Sequence, residues 1–526
     1  MSYHPIAVIP EPEKVNVNPR FPGKVSLSEH TAILADSRLE KVALFLQSAL
    51  RPATGWSFPI RSGCEKAPPV GSRHIHLVLD EELATLKDEG YRLSVSWTEI
   101  RISAPADTGL FYGIQTLLQL LPPAVYGPGP RLDVTWALPC VEIEDRPRFA
   151  WRGAMLDSVR YFYPVAFIRK FIDALALHKL NVLHWHLTDD QGWRVEIRKY
   201  PRLTEVASRR PESQPGHVSP ETKGDGTPHQ GYYTQEEIRE LVAYAAERNI
   251  TIVPEIEMPG HAQAALAAYP EYGCTEEAPQ VSTAWGVHHY LYHPGDETYA
   301  FLTDILDEIM ELFPSPFIHI GGDEAVKTQW NECAEIQALR EGLCLKDSHE
   351  LQSYFIGRIG KYLSSHGRRL IGWDEIIEGG LPEDASVMSW RGTSGAVAAA
   401  KAGHDVVMAP TQYTYLDFYQ SAEVEDEPIA LGYYLPLEKV YSFDPALPGV
   451  LGEEEARHVL GVQGQLWAEF LPSTSLLEYM AFPRLSALAE IAWTPAGQCH
   501  FADFVHRLKK HLRRLDVLDI RYRPID

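Results

Sequence analysis

The chain has 526 residues, 45% of them hydrophobic and 23% charged, with a formal net charge of −23. That balance is ordinary for a globular protein and excludes the disordered, fibrous and membrane-embedded classes, while so acidic a field excludes nucleic acid and anionic membrane surfaces as partners. A chain this long exceeds the size at which one hydrophobic core keeps growing, so a large domain with at least one smaller one is expected.

Six cysteines, at Cys64, Cys140, Cys274, Cys333, Cys344 and Cys499, are scattered without CxxC or other metal-ligand spacing, so neither a disulfide framework nor a metal centre is indicated. The opening MSYHPIAVIPEPEKVNVNPRFPG has no basic stretch leading into an apolar one, and no run reaches the roughly 18 apolar residues of a membrane span. The reading is a cytoplasmic protein without a membrane span, or a secreted one if a signal has been removed.

Residues 1–145 mix alternating runs, HIHLVLD at 74–80 and RLSVSWTEIRIS at 92–103, with helical ones, RLEKVALFLQSAL at 38–50 and TGLFYGIQTLLQLL at 108–121. That mixture predicts a small α+β domain. The proline-rich PPAVYGPGP and EDRPRF mark its end, placing a boundary near residue 146.

From there to residue 526, compact apolar runs alternate with amphipathic segments. The candidate strands are 149–157, 181–190, 250–258, 317–324, 369–376, 386–392, 405–410 and 462–469, eight in all. Between them lie helices such as TQEEIRELVAYAAERN at 234–249, where Thr234 and Glu237 have capping-box spacing and Ile238, Leu241, Val242 and Ala245 form one stripe. Eight strands each followed by a helix predict a (β/α)8 barrel, and 501–520 reads as a final amphipathic helix with a solvated basic face.

In such a barrel the chemistry sits at the C-terminal ends of the strands. Arg152, Asp157, Asp189, Asp190, Glu255, Glu257, Asp323, Glu324, Asp374 and Glu469 lie at or near strand termini, and so do Trp373, Trp390 and Trp467. Taken singly, each is what a chain does on leaving a core. The repeated tryptophans have no such explanation, because solvated loop starts do not recruit them.

FIHIGGDE sets Asp323 and Glu324 side by side behind two glycines. Paired carboxylates in a water-poor pocket take different proton affinities, so one can donate a proton while the other stays ionised, the division glycoside hydrolysis requires. Indole faces stack on the C–H faces of a pyranose ring. Sugar chemistry is the economical reading, although spacing alone leaves inverting and retaining outcomes open.

These residues resemble the glycoside hydrolase family 20 enzymes, the β-N-acetylhexosaminidases. HIGGDEA carries the likeness with WRGAMLDSVR, NVLHWHLTDDQGWR, PEIEMPGH, GWDE, SWRG, YLD and QLWAEF, in order, over residues 146–495. The resemblance implies exo-hydrolysis of terminal N-acetyl-β-D-hexosamine residues with retention. The substrate's own acetamido carbonyl attacks the anomeric carbon, and no cofactor or metal takes part. By resemblance Glu324 is the general acid and base, Asp323 orients the acetamide, Tyr415 donates to its carbonyl, and Asp189 with His261 tunes Glu324. Trp373, Trp390 and Trp467 enclose the acetamido group, while Arg152, Asp417 and Glu469 hold sugar hydroxyls. Glu257 departs from the pattern, which expects aspartate there.

The implied partners are glycans, chitooligosaccharides or glycoconjugates, and the loop 191–233 is expected to rim the pocket. Two alternatives stand at this point: a sugar-binding protein without turnover, and double displacement with Asp323 as nucleophile.

Overall fold

The computed structural model describes residues 6–17, 23–62, 73–217, 223–275 and 277–525. Cys64 and the middle of the 191–233 loop, residues 218–222, lie outside them. No helix among the described residues is long and apolar enough to cross a membrane.

The N-terminal part forms a seven-stranded mixed sheet in the spatial order Lys14–Asn16, Val141–Asp145, Tyr91–Val95, Ile100–Ala104, His74–Leu79, Ala32–Ala35 and Ile60–Ser62. The run at 92–103 is two antiparallel strands, since Arg92 pairs with Ser103 and Val95 with Ile100 around a short turn. Helices Glu40–Thr54 and Asp107–Leu120 accompany the sheet. The second is buried at every residue from Gly109 onward, and Gln119 donates from it to the Leu177 carbonyl of the next domain (3.1 Å).

Eight strands then close a barrel. They are β1 (Trp151–Asp157), β2 (Val182–His186), β3 (Thr251–Glu255), β4 (Phe317–His319), β5 (Arg369–Trp373), β6 (Ser386–Ser389), β7 (Val406–Met408) and β8 (Val459–Gly464), all parallel, with Trp151 of β1 closing on Gly461 of β8. Each overlaps one of the eight runs read from the sequence, although the last strand starts three residues before the predicted 462–469 and ends at Gly464. β-branched, aromatic and glycine-flanked segments buried on both faces form strands of this kind. The helices between them are amphipathic: in Gln235–Ala246 the capping box of Thr234 and Glu237 is formed, and Ile238, Leu241 and Ala245 are buried.

Because side chains alternate along a strand, every second residue points into the barrel. Trp151, Val182, Val253, Ile371, Met388 and Val407 form one inner apolar cluster. One pleat further along come His184, Glu255, His319, Trp373 and Gln463, and beyond them the acids of the open end. The final helix, Phe501–Val517, is less solvated than its composition suggests. Arg507, His511 and Arg514 are buried, and Arg507 pairs with Glu490 at 2.5 Å.

Candidate active site

After β4, Ile320 and Gly321 continue the barrel ladder: Ile320 donates to the Ile371 carbonyl (3.0 Å) and Trp373 to that of Gly321 (2.9 Å). Gly321 then turns into the left-handed region at φ +66°, and a Cβ there would lie 1.6 Å from Oε2 of Glu257, so only glycine fits. That turn delivers Asp323 and Glu324 to the barrel mouth. Glu324 and His261 are themselves left-handed, at φ +46° and +48°, a strained backbone that non-glycine residues keep mainly at functional sites.

Both carboxylates face one imidazole. His261 Nε2 is 3.5 Å from Glu324 Oε2 and 3.6 Å from Asp323 Oδ2, while Nδ1 lies 3.0 Å from Asp189 Oδ1 and from Asp190 Oδ2. Burial opposes charge on this ring, but Asp189 and its neighbours outweigh burial and raise its proton affinity well above the usual value. Asp189 is held well below the carboxylate range despite its burial, chiefly by Arg160 (2.8 Å) and His261. Burial, with Glu324 beside it, pushes Asp323 up to about 7, and its Oδ1 has no partner.

These groups line one cavity of about 140 Å³ together with Trp373, Trp390, Tyr415, Asp417, Leu431, Trp467 and Glu469. Trp373 and Trp467 lie 5.7 Å apart, and Trp390 stacks on Tyr415 at 6.2 Å, so aromatic faces form the walls. Tyr415 arrives from the loop after β7 and is fixed by a bridge to Gln465 beyond β8. Burial lifts its phenol well above the usual value and keeps it protonated, able to donate. Asp417 is likewise lifted, by burial and then by Glu469, and its Oδ1 is unpartnered.

Ten of the eleven site residues read from the sequence, those at 189, 261, 323, 324, 373, 390, 415, 417, 467 and 469, therefore meet in one cavity. Arg152 does not. It is the second residue of β1, at the N-terminal end of the barrel, and its parity turns it outward. Its guanidinium donates to the Lys179 carbonyl (2.9 Å), the Phe149 carbonyl (2.8 Å), Glu89 (2.6 and 3.2 Å) and the Tyr112 hydroxyl (3.0 Å). Those five bonds use all five of its N–H groups, so no donor remains for a sugar.

The arginine of the cavity is Arg160, three residues past the end of β1. It donates to Asp157 (3.0 Å) and to Gln191 (2.9 Å), and lies over the Trp467 ring at 5.1 Å. Strand direction alone distinguishes the two arginines of WRGAMLDSVR, since only Arg160 lies beyond the C-terminal end. Glu375 also belongs to the site: it accepts from Trp390 Nε1 (2.8 Å), and burial and the charge of Asp323 raise it to about 8. The loop 191–233 contributes no described residue to the lining, although Gln191 backs Arg160.

A parallel barrel whose open end presents paired carboxylates inside an indole-walled cavity for one small ligand defines a glycoside hydrolase. The glycosyl hydrolase family 20 catalytic-domain model matches residues 149–496, and the same family's domain 2 matches residues 5–146, so the chain belongs to glycosyl hydrolase family 20. A beta-hexosaminidase of Porphyromonas gingivalis is 47% identical over 94% of the chain, which spans 61% of that relative's length. Among solved structures, the GH20 beta-N-acetylhexosaminidase of Streptomyces coelicolor A3(2) superposes with a TM-score of 0.84 at 34% identity, covering 99% of this chain and 97% of that one. A mutant Streptomyces plicatus beta-hexosaminidase in complex with its product, GlcNAc, gives 0.83 at 34% identity, covering 99% and 96%.

Proposed function

We infer that the chain is an exo-acting β-N-acetylhexosaminidase that releases terminal N-acetyl-β-D-glucosamine from a glycan, chitooligosaccharide or glycoconjugate, with retention and through attack by the substrate's own acetamido oxygen. The Streptomyces plicatus relative holds GlcNAc as product, and the same sugar is proposed for this pocket. A cavity of about 140 Å³ takes a chain end, not a run of sugars.

One observation carries the reading: Asp323, buried among indoles with Oδ1 unpartnered, sits beside Glu324 on the same imidazole. A buried carboxylate oxygen without a donor is unfavourable until a ligand supplies one, and an acetamido N–H does so. By this reading Asp323 accepts that N–H and turns the carbonyl oxygen toward the anomeric carbon. Tyr415 donates to the same oxygen. Glu324 protonates the departing glycosidic oxygen, then takes a proton from the water that opens the oxazolinium ring. Holding the two reacting atoms together makes attack intramolecular, with effective molarities of about 10⁵ to 10⁸ M. Arg160, Asp417 and Glu469 grip the ring hydroxyls, and their arrangement around the 4-hydroxyl decides whether N-acetyl-β-D-galactosamine is also accepted.

The test is a p-nitrophenyl glycoside series with zero to three fluorines on the 2-acetyl group. Fluorine withdraws electrons from the attacking oxygen, so the rate is expected to fall steeply along the series. A flat series overturns self-assisted attack, a sugar trapped covalently on Asp323 establishes double displacement instead, and binding without release of nitrophenol establishes a sugar-binding protein.

A further inference from the structure

Beneath the catalytic acids, wholly buried in the barrel interior, Glu255 is surrounded by nitrogen atoms. His186 Nδ1 lies 2.5 Å from Oε2 and His184 Nε2 3.1 Å, His319 Nδ1 lies 2.8 Å from Oε1, and Trp373 donates its indole N–H to Oε1 at 2.8 Å. The steps of the reaction leave this residue unused. Yet it touches both halves of the site: the indole that walls the cavity, and the first imidazole of a chain leading to Glu324.

That chain is continuous. His186 has a carboxylate at each nitrogen, Glu255 at Nδ1 and Asp189 Oδ2 at Nε2 (3.0 Å), so the ring carries both protons. Asp189 in turn holds His261 through Oδ1 at 3.0 Å, and His261 faces Glu324 at 3.5 Å. The charges alternate: Glu255 negative, His186 positive, Asp189 negative, His261 positive.

We propose that Glu255 is a positioning residue acting along two arms, fixing the charge and orientation of His261 opposite Glu324 through His186 and Asp189, and fixing the cavity wall through the Trp373 indole. This rests on the reading of Glu324 as general acid. Burial opposes the charge on His186, but Glu255 and Asp189 overcome it and raise the ring to about 10. His186 therefore stays cationic over the working range and offsets Asp189.

Other charges face the chain at each step. Asp190 shares Nδ1 of His261, Arg160 lies against Asp189 with Asp157 and Glu469 behind it, Glu257 adjoins Glu255, and Asp323, with Glu375 near it, flanks Glu324. Of these only Asp157 also favours the charge on His186, so with Glu255 uncharged Asp189 is the one carboxylate left in contact with the ring. The imidazole then holds its proton less tightly, and once it is lost Asp189 is offset by Arg160 and His261 alone. The net charge is unchanged, but the cation lost lies nearer to His261 than the anion lost, which strengthens the hold of His261 and Glu324 on their protons.

The experiment is the pH dependence of kcat/KM for Glu255→Gln, whose amide oxygen still accepts from Trp373, and for Glu255→Ala, which loses both arms. For the glutamine variant the alkaline limb is expected to move up by about half to one pH unit, with a kcat loss of roughly tenfold and little change in KM. For the alanine variant KM is expected to rise as well. His186→Gln, which breaks the chain without touching Trp373, is expected to reproduce the limb shift, whatever the loss of its edge contact with Trp467 (5.0 Å) does to KM. A folded Glu255→Gln enzyme with an unmoved alkaline limb overturns the proposal. Should these variants not fold, a wild-type His186 ring that loses its charge below pH 8, followed by its downfield imidazole proton resonances, also overturns it. A flat leaving-group series for Glu324→Gln would instead sink the general-acid reading, a separate failure visible without any change at Glu255.

Discussion

His261 stands with Nε2 3.5 Å from Oε2 of Glu324, on the cavity side of its ring. Since Asp323 meets the same nitrogen at 3.6 Å, the two acids share one neighbour, and in the proposed mechanism they differ in what they serve: the departing oxygen for Glu324, the acetamide for Asp323. Glu324→Gln is therefore expected to lose 10² to 10⁴-fold on alkyl or sugar leaving groups, the usual worth of a general acid, and far less on dinitrophenyl ones. Asp323→Asn is expected to lose similar activity on all. A Brønsted plot of kcat/KM against leaving-group acidity checks this: a steeper slope for the glutamine variant and an unchanged slope for the asparagine variant.

The elevated Asp323 has consequences for pH. In the proposed mechanism the group works as an anion, so activity is expected to be lost as pH falls through its pKa. Burial puts that at about 7, and an acetamide bound there gives the lone Oδ1 a donor and favours the charged form. The acid limb of kcat/KM, which reports free enzyme, is expected at higher pH than the acid limb of kcat. The same group affects stability. A carboxyl whose folded pKa is raised above its unfolded 3.8 makes the fold progressively less stable as pH rises between the two values. Asp323→Asn removes that loss, so it is expected to raise Tm at pH 8 by roughly 2 to 4 °C, and by less at pH 5.

The two arginines of the first barrel segment are expected to separate stability from catalysis. Arg152 joins the domains through Glu89 and backbone carbonyls, so Arg152→Ala leaves buried acceptors bare and is expected to cost on the order of 3 kcal/mol in urea unfolding. The kcat/KM of its folded fraction should be unchanged. Arg160→Ala is expected to lower kcat/KM at least 100-fold, because it strips Asp189 of its 2.8 Å cation and the sugar of a donor. Equal catalytic losses from the two would refute this division.

The contrast between these arginines shows how far the sequence could be read. All eight barrel strands were legible, because each is a short apolar run, rich in β-branched, aromatic, leucine or methionine residues, set between amphipathic helical segments. The pleat was legible too: in β1 the inward positions are those of Trp151, Gly153, Met155 and Asp157, which turns Arg152 away from the cavity. Weighing charge without parity misplaced it. Other features depend on tertiary contacts that no local pattern records. Leu431 reaches the cavity from a short strand, Leu431–Tyr434, that pairs with Phe418–Tyr419, and Glu375 backs the Trp390 wall from a single turn after β5. Likewise the basic residues of the last helix look solvated in composition, and only packing against Glu490 and the backbone shows Arg507 and Arg514 to be buried.

Glu257, which stands where the family resemblance led us to expect aspartate, is 2% exposed, and neither of its oxygens has a hydrogen-bond partner. An ionised carboxylate so placed would be unpaired beside Glu255 and Asp323, so it carries a proton. Burial first, then Asp323 and Glu255, raise it well above the usual range. Its neutral carboxyl packs against Gly321, beneath the turn that carries the catalytic pair. If a neutral group of that shape is all the position requires, Glu257→Gln is expected to keep kcat within about threefold with an unmoved pH profile. Because the wild-type group is protonated in the folded chain and ionised in the unfolded one above the ordinary glutamate value of 4.5, stability falls as pH rises, and the amide escapes that loss. Glu257→Gln should therefore melt higher than wild type at pH 8 and equally at pH 4. Glu257→Ala, which leaves a cavity under Gly321, is expected to melt lower at both, by differential scanning calorimetry. A glutamine variant that folds yet loses activity by 100-fold would mean that the proton on Glu257 takes part in the reaction and does not merely fill the space beneath it.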